Sequence, residues 1–249
     1  MPNNFCIVIP HFNHDEQLEN VLSEIKKIEL PVIIVDDGSE EKSYAAVRSM
    51  TDGRSELMLS RIPSNTGKGA AVLHGIRIAR DRGFTHAIQI DADGQHCVAD
   101  TRRLMAESER YPDLLISGLA VFGEDVPKIR LYGRKFTLWW TKLETLSGAI
   151  KDAMCGFRVY PIAPLLDICE GQRIGRRMEF DIEILVRSIW NGQQIRYIPT
   201  RVDYPARGLS HFQLIRDNLL ISLAHTKLVF GMLVRFPRLV SEMYRSKKI

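Results

Sequence analysis

The chain has 249 residues, 45% apolar and 26% charged, the makeup of an ordinary soluble globular protein and enough for one large α/β core. A formal net charge of +4 is too small to argue for nucleic acid, and no aromatic residues interleave with basic ones as in single-strand binders, so no nucleic-acid partner is expected. Cys6, Cys97, Cys155 and Cys169 form no CxxC pair, which disfavours a structural zinc or a disulfide framework and favours a reducing, cytoplasmic compartment.

The N-terminus enters an apolar run at 5–10 with no basic or long hydrophobic leader, so folding is expected to begin near residue 5. Residues 16–28 follow with Leu18, Val21, Leu22 and Ile25 at helical spacing. Further runs at 32–35, 57–62 and 86–90, and a weaker one at 114–117, suit strands buried on both faces, and 70–82 reads as a helix between two of them. This alternation predicts an α/β fold with a Rossmann-like, mostly parallel central sheet, helices on both faces and ligands beyond the carboxyl ends of the strands. From about residue 120 the pattern changes. A helix is expected over 135–146, with Phe136, Trp139, Trp140 and Leu143 filling core, and a strand over 194–199. No linker interrupts the chain, so residues 1–211 read as one domain and 212–249 as an amphipathic helical extension. The best candidate for a membrane span, 212–236, is interrupted by Arg216, Asp217, His225, Lys227 and Arg235. It falls short of the roughly 18 to 20 uninterrupted apolar residues of such a span and is not expected to cross a bilayer.

Two strand-like runs stop at acidic turns. Asp91-Ala92-Asp93 places two carboxylates on one side of an extended backbone, a hard-oxygen pair suited to Mg2+ or Mn2+ on a phosphate, with Gln95 and His96 as further ligands; a polar helix-capping turn is the plainer reading. Asp36-Asp37-Gly38-Ser39 has the same placement, and a carboxylate there either accepts a base N–H or caps a turn. The pair of clusters is the strong signal. Asn65-Thr66-Gly67-Lys68-Gly69 opens a helix, where backbone N–H groups and Lys68 suit a diphosphate, although the spacing is not that of a P-loop. His11, His74 and His86 have no metal-ligand spacing and read as structural, as does Cys155.

Val8-Ile9-Pro10 with Phe12-Asn13, the 36–39 cluster, 65–71 with Gly75, and Asp91-Ala92-Asp93-Gly94-Gln95-His96 follow the order seen in family 2 glycosyltransferases, and the last motif resembles that of dolichyl-phosphate mannose and glucose synthases. Asp152 with Cys155-Gly156-Phe157-Arg158, then 180–185, then Gly208 and Ser210-His211 are similar to later blocks of that subgroup, so the resemblance covers about 5–211. It implies a GT-A fold, a nucleoside-diphosphate sugar donor and metal-dependent inverting transfer. It also implies a lipid-linked acceptor, polyprenyl phosphate or a lipid hydroxyl, at the cytosolic membrane face, and leaves oligomerisation open. By position, Pro10, Phe12, Val35 and Asp37 would line base and ribose, and Lys68, Asp91 and Ala92 would border the rest of the donor. Asp91, Asp93 and Gln95 would hold metal and diphosphate, and Asp181 would lie near the acceptor, with Arg158, Arg207 and Ser210 at acceptor or phosphate. The chain departs from the pattern at His14, Pro205 and His211, where a glutamate, an arginine and a lysine are usual.

An alcohol acceptor needs a base, for which Asp181 is the first choice and Glu183 the second. A phosphate acceptor needs cations instead, with Arg130, Arg134, Arg158 and Arg207 available. A sugar-nucleotide pyrophosphorylase would carry a glycine-rich loop after its first strand, where this chain has Pro10-His11-Phe12. A catalytically dead nucleotide-sugar-binding protein would have no need of both Asp91 and Asp93. The extension combines apolar residues from Leu214 to Val234 with Arg235, Arg238, Arg245, Lys247 and Lys248. It is expected to lie on an anionic membrane surface, or else to pack on the domain or on a second copy.

Overall fold

The computed structural model describes residues 3–123, 128–202 and 213–246. Four β-branched runs form β1 (Phe5–His11), β2 (Val32–Asp37), β3 (Leu57–Ile62) and β4 (His86–Gln89), parallel in the order β3-β2-β1-β4. α1 (Asp15–Ile25), α2 (Glu41–Thr51) and α3 (Lys68–Asp81) connect them. Side chains of β1 alternate between two cores, Cys6 and Val8 on the α3 side and Phe5, Ile7 and Ile9 on the α1 side, as the two-residue period of a strand requires. α2 and α4 (Thr101–Arg110) have no counterpart among the expected helices. α2 buries only Ser43 and Val47, and α4 only Thr101, Leu104 and Ser108, so neither carries a readable apolar stripe.

Beyond α4 the sheet acquires its one reversed strand. β6 (Arg158–Pro161) runs antiparallel between β4 and β5 (Leu115–Phe122), and β7 (Ile195–Val202) pairs parallel with β5, completing the order β3-β2-β1-β4-β6-β5-β7. α6 (Ile162–Glu170) and α7 (Phe180–Trp190) pack on the α3 side of the sheet.

α5 (Lys128–Thr145) and α8 (Leu214–Ser246) form an outer layer on α7. The expectation that aromatic residues of α5 fill core fails for two of them: Phe136 is 62% exposed and Trp139 58%. The buried face carries Thr137, Thr141, Glu144 and Thr145 instead. Thr141, Glu144 and Thr145 make hydrogen bonds there, which offsets part of the cost of burying them. Thr145 Oγ1 donates to the Thr141 carbonyl at 2.7 Å, and Glu144 Oε1 lies 2.6 Å from His225 Nδ1 on α8. Trp140 is half-buried and stacks on that same histidine.

α8 buries Ala224, Leu228, Met232 and Leu239 and exposes Ile215, Leu219, Leu223, Phe230 and Val234. Its Ile215–Ser241 segment is long and apolar enough on average to cross a membrane, although it holds no uninterrupted apolar run of that length. Its polar interruptions are placed on one side: Asp217 and His225 are buried, and Arg235 sits 4.7 Å from the Trp190 ring. Three of the interruptions therefore belong to the packed face.

Candidate active site

β1 is flanked by β2 and β4, so the chain departs from it in opposite directions across one crevice, where open parallel sheets take up ligands. At its end His11 Nδ1 lies 3.1 Å from Asp36 Oδ1, both side chains fully buried, and Arg61 Nε lies 3.3 Å from Asp36 Oδ2. Burial works against the Asp36 anion, but hydrogen bonds from His11 and Ser39 outweigh it and hold its pKa below the ordinary value. His74 and His86 also have local partners, the Ser60 hydroxyl and the Pro112 carbonyl, each at 2.9 Å.

Asp37 is engaged differently from the expected contact with a base. Its Oδ1 accepts from Thr66 N at 2.9 Å and Thr66 Oγ1 at 2.7 Å, and its Oδ2 from Gly67 N at 2.7 Å, so the carboxylate anchors the glycine-rich loop that opens α3. Gly67 has φ +110°, and a Cβ there would lie 2.4 Å from Arg177 Cγ and 2.5 Å from the Arg176 carbonyl, demands that glycine alone meets. Val35 and Ala92 are buried in the two cores, so neither side chain lines an open pocket; Pro10 and Phe12 are half-buried.

One ammonium joins two carboxylates from distant parts of the chain. Lys68 Nζ, in the first turn of α3, is 2.8 Å from Asp91 Oδ2 and 2.8 Å from Asp181 Oδ2 in the first turn of α7. Burial opposes the charge on Lys68, yet Asp181 and Asp91 outweigh it and hold the amine above its usual pKa. Burial likewise opposes the Asp91 anion, but Lys68 and His96, whose Nε2 is 3.5 Å away, hold this carboxyl low. Asp93 goes the other way: burial, then the charge of Asp91, raise it above the ordinary range. β4 ends at Gln89 and residues 92–93 form a turn, so turn geometry brings the two aspartates together, and Gln95 N donates to Asp93 Oδ1 at 3.1 Å. Among the described residues no cluster of three or more His, Cys, Asp or Glu side chains forms a metal cage, and Asp91 with Asp93 is a two-carboxylate set.

Several candidates lie elsewhere. Asp181 and Glu183 point apart because residues two apart on a helix are separated by about 200° around its axis. Glu183 is buried and paired with Arg187 at 3.1 Å, which makes it a structural ion pair and not a base beside Asp181. Arg158, expected at a phosphate, is fully buried and donates to the Asp181 carbonyl at 2.8 Å, the Ala153 carbonyl at 3.2 Å and Tyr160 Oη at 3.3 Å. It is a floor beneath Asp181. Arg134 is held by Asp152 at 2.6 Å. Arg207 and Ser210 lie outside the described residues, as does the side chain of Arg130. Cys155 is buried, and burial followed by Asp152 pushes its thiol up to about 12, the environment of an inert cysteine.

The supporting floor was missed from sequence. Tyr160 Oη donates to Gln89 Oε1 at 3.2 Å, and Gln89 Nε2 donates to Asp91 Oδ1 at 3.2 Å, so a buried chain runs from Arg158 to Asp91. An amide inside the apolar run 86–90 was the available signal. Gly156 forms a wall so close that a Cβ would lie 2.6 Å from Asp91 Oδ2 and 2.7 Å from Lys68 Nζ. The contact of Arg177 with Asn65, 2.9 Å from Nη1 to Oδ1, had no sequence signal.

The model of the family described as Glycosyl transferase family 2 matches residues 6–163. Polyprenol monophosphomannose synthase of Mycolicibacterium smegmatis is 27% identical over 211 residues, which span 82% of this chain and 79% of that protein. Dolichyl-phosphate beta-glucosyltransferase ALG5D of Trichomonas vaginalis is 28% identical over 198 residues, 72% of this chain but only 59% of that protein. Among solved structures, glucosyl-3-phosphoglycerate synthase from Mycobacterium tuberculosis in complex with Mn2+ and UDP-glucose is similar in fold, with a TM-score of 0.68 at 14% identity over 90% of this chain and 79% of that one.

Proposed function

The chain belongs to glycosyltransferase family 2 and has the GT-A fold, and from that premise we propose that it moves a sugar from a nucleoside-diphosphate sugar to a polyprenyl phosphate, with inversion at the anomeric carbon. The observation that carries this reading is the Lys68 bridge, which brings the acidic turn after β4 and the acid that opens α7 to one point. The family match sets the pyrophosphorylase reading aside. The acceptor class comes from the relatives named for polyprenol and dolichyl phosphate.

Asp91 and Asp93 fit Mg2+ or Mn2+, because such ions take one or two protein carboxylates and complete their shell with water and phosphate oxygens. The carboxyl of Asp93, held up beside the Asp91 anion, is the group a cation there relieves. When bound, the ion supplies Lewis-acid stabilisation to the leaving diphosphate. Lys68 adds a second positive charge on the same side, and Gln95, whose backbone N–H donates to Asp93, would offer a further oxygen ligand. Asp37 acts on the donor through the loop it anchors.

A phosphate acceptor is already ionised and needs no base, and Asp181 then serves to hold Lys68. One observation favours a lipid alcohol instead: Asp181 Oδ1, buried and 3.6 Å from Arg158 Nη1, makes no hydrogen bond and so has room to accept one from an acceptor hydroxyl. Residues 1–211 are proposed to form the donor and acceptor sites, and 212–249 to carry a face that rests on the cytoplasmic side of a membrane.

A thermal-shift panel of nucleoside diphosphates with and without Mn2+, followed by transfer of labelled sugar to polyprenyl phosphate or to a lipid alcohol, tests the reading. The expected result is a metal-dependent shift with one base and label on the lipid phosphate. Absence of any shift across the panel overturns the donor assignment.

A further inference from the structure

We propose that Arg177 is a positioning residue that fastens the glycine-rich donor loop to the Asp181 end of α7, so that the two act as one piece; this rests on the donor reading above. Arg177 Nη1 donates to Asn65 Oδ1 at 2.9 Å and Nη2 to the Asn65 carbonyl at 3.2 Å. The planar fork thereby fixes both the side chain and the backbone of the residue that opens the loop. At the loop's other end Ala70 N donates to the Arg176 carbonyl at 2.9 Å. Gly67, lacking a Cβ, lets the Arg177 stem pass against the loop.

The far side of the same arrangement is the Lys68–Asp181 contact at 2.8 Å. Between Arg177 and Asp181 the chain is already turning into α7: Phe180 N donates to the Arg177 carbonyl at 3.3 Å and Glu183 N to the Glu179 carbonyl at 3.0 Å. Two segments joined at Asn65–Arg177, Ala70–Arg176 and Lys68–Asp181 form a closed ring of contacts. Within that ring the Lys68 ammonium has one position, between Asp91 and Asp181. Without the Arg177 fork, the loop keeps its Asp37 anchor at Thr66 and Gly67 and the Ala70–Arg176 bond but loses its tie at Asn65, so that Lys68 has more freedom to lose when the donor arrives, at a cost to donor affinity. Arg177 is half-buried and stands outside both apolar cores, so the fold does not depend on it.

The test is calorimetric binding of the nucleoside diphosphate that the wild-type protein selects, with melting curves, for wild type, Arg177→Met, Lys68→Met and the double variant. Arg177→Met is expected to melt close to wild type and bind about tenfold more weakly, the scale of a charged hydrogen-bond pair. The double variant is expected to bind no more weakly than Lys68→Met, because a residue acting through Lys68 adds nothing once Lys68 is gone. Arg177→Lys, which keeps the charge and loses the fork, is expected to recover only part of the affinity. Should Arg177→Met fail to fold, Asn65→Ala removes one arm of the same fork and is expected to lose affinity in the same direction. Wild-type affinity in Arg177→Met, or losses that simply add in the double variant, overturns the inference while leaving the donor reading intact. Failure of the wild-type protein to bind any nucleoside diphosphate overturns both.

Discussion

In the half of the sheet formed by β1 to β4, apolar side chains fill both faces and charge gathers where strands end, at Asp36, Asp37, Asp91 and Asp93. In the layer formed by α5 and α8 the arrangement is reversed, with Thr137, Thr141, Glu144 and His225 inside and Phe136, Trp139, Leu219 and Phe230 outside. The hydrogen bond between Glu144 Oε1 and His225 Nδ1 offsets part of the cost of the buried polar face. The exposed apolar face has no such explanation among the described residues. Contiguous apolar surface of this kind marks a neighbour other than water. On the proposed function the first region carries the chemistry and the second the location, and variants in either region test whether the two jobs separate.

The largest effect is expected at the strand ends. Asp93→Ala should lower transfer by about a thousandfold or more, the scale of losing a group that stabilises transition-state charge, with an unchanged melting curve. Near-normal turnover at saturating Mn2+ would remove Asp93 from the mechanism. Asp181→Asn comes next and depends on the acceptor. With polyprenyl phosphate it should cost less than about tenfold, whereas loss of a general base costs roughly 10²- to 10⁴-fold and would move the acceptor to an alcohol. Asp37→Ala should raise the donor KM about tenfold and leave kcat nearly unchanged, because loosening the loop weakens ground and transition states alike. An unchanged donor KM contradicts the role of Asp37 as loop anchor.

The first region was legible because its rules are local. A β-branched apolar run reads directly as a buried strand, as β1 to β4 are, and the acidic turns that stop β2 and β4 mark where ligands lie beyond the strand ends. What escaped was decided across space. Arg158 looks like a free cation until the Asp181 carbonyl closes on it. Glu183 looks equivalent to Asp181 until the helix turns it toward Arg187. Asp37 meets Thr66 and Gly67 only after α2 and β3 have folded between them. α5 misled for a related reason, since its aromatic spacing is that of a core helix and only its neighbour α8 determines which face is inside.

A smaller effect is expected from acidity at the α5–α8 contact. Burial raises the folded pKa of Glu144 above its ordinary 4.5, and His225 only partly offsets this. A carboxyl with a raised folded pKa contributes most below the unfolded value, so stability should fall as pH rises from about 4.5 through the folded pKa. Glu144→Gln, which carries no titrating proton, should flatten that part of the Tm-against-pH curve. An identical slope in the variant would show that the buried carboxyl is not its source.

The smallest effect on soluble chemistry, and the one that decides what the second region is for, concerns the outward face of α8. Leu219, Leu223 and Phe230 are 60%, 56% and 65% exposed, so replacing all three by serine removes little from the core and should leave the melting curve and donor binding near wild type. Truncating the helix is the poorer test, because it strips Leu228, Met232 and Leu239 from the packed interior. The exposed cations Arg216 and Lys227 lie on the same helix, the combination that favours the interface of an anionic bilayer; Arg235, over Trp190, is not free to join them. Wild-type protein should therefore sediment with vesicles containing anionic lipid, less with neutral ones, and the triple serine variant with neither. Tyr132 and Trp139 on α5 are exposed as well, and their substitution should weaken sedimentation further if the whole layer faces lipid. Wild-type protein that remains in the supernatant with both vesicle types at low salt overturns the membrane assignment. A concentration-dependent dimer that the triple serine variant cannot form would then assign the same face to a second copy of the chain.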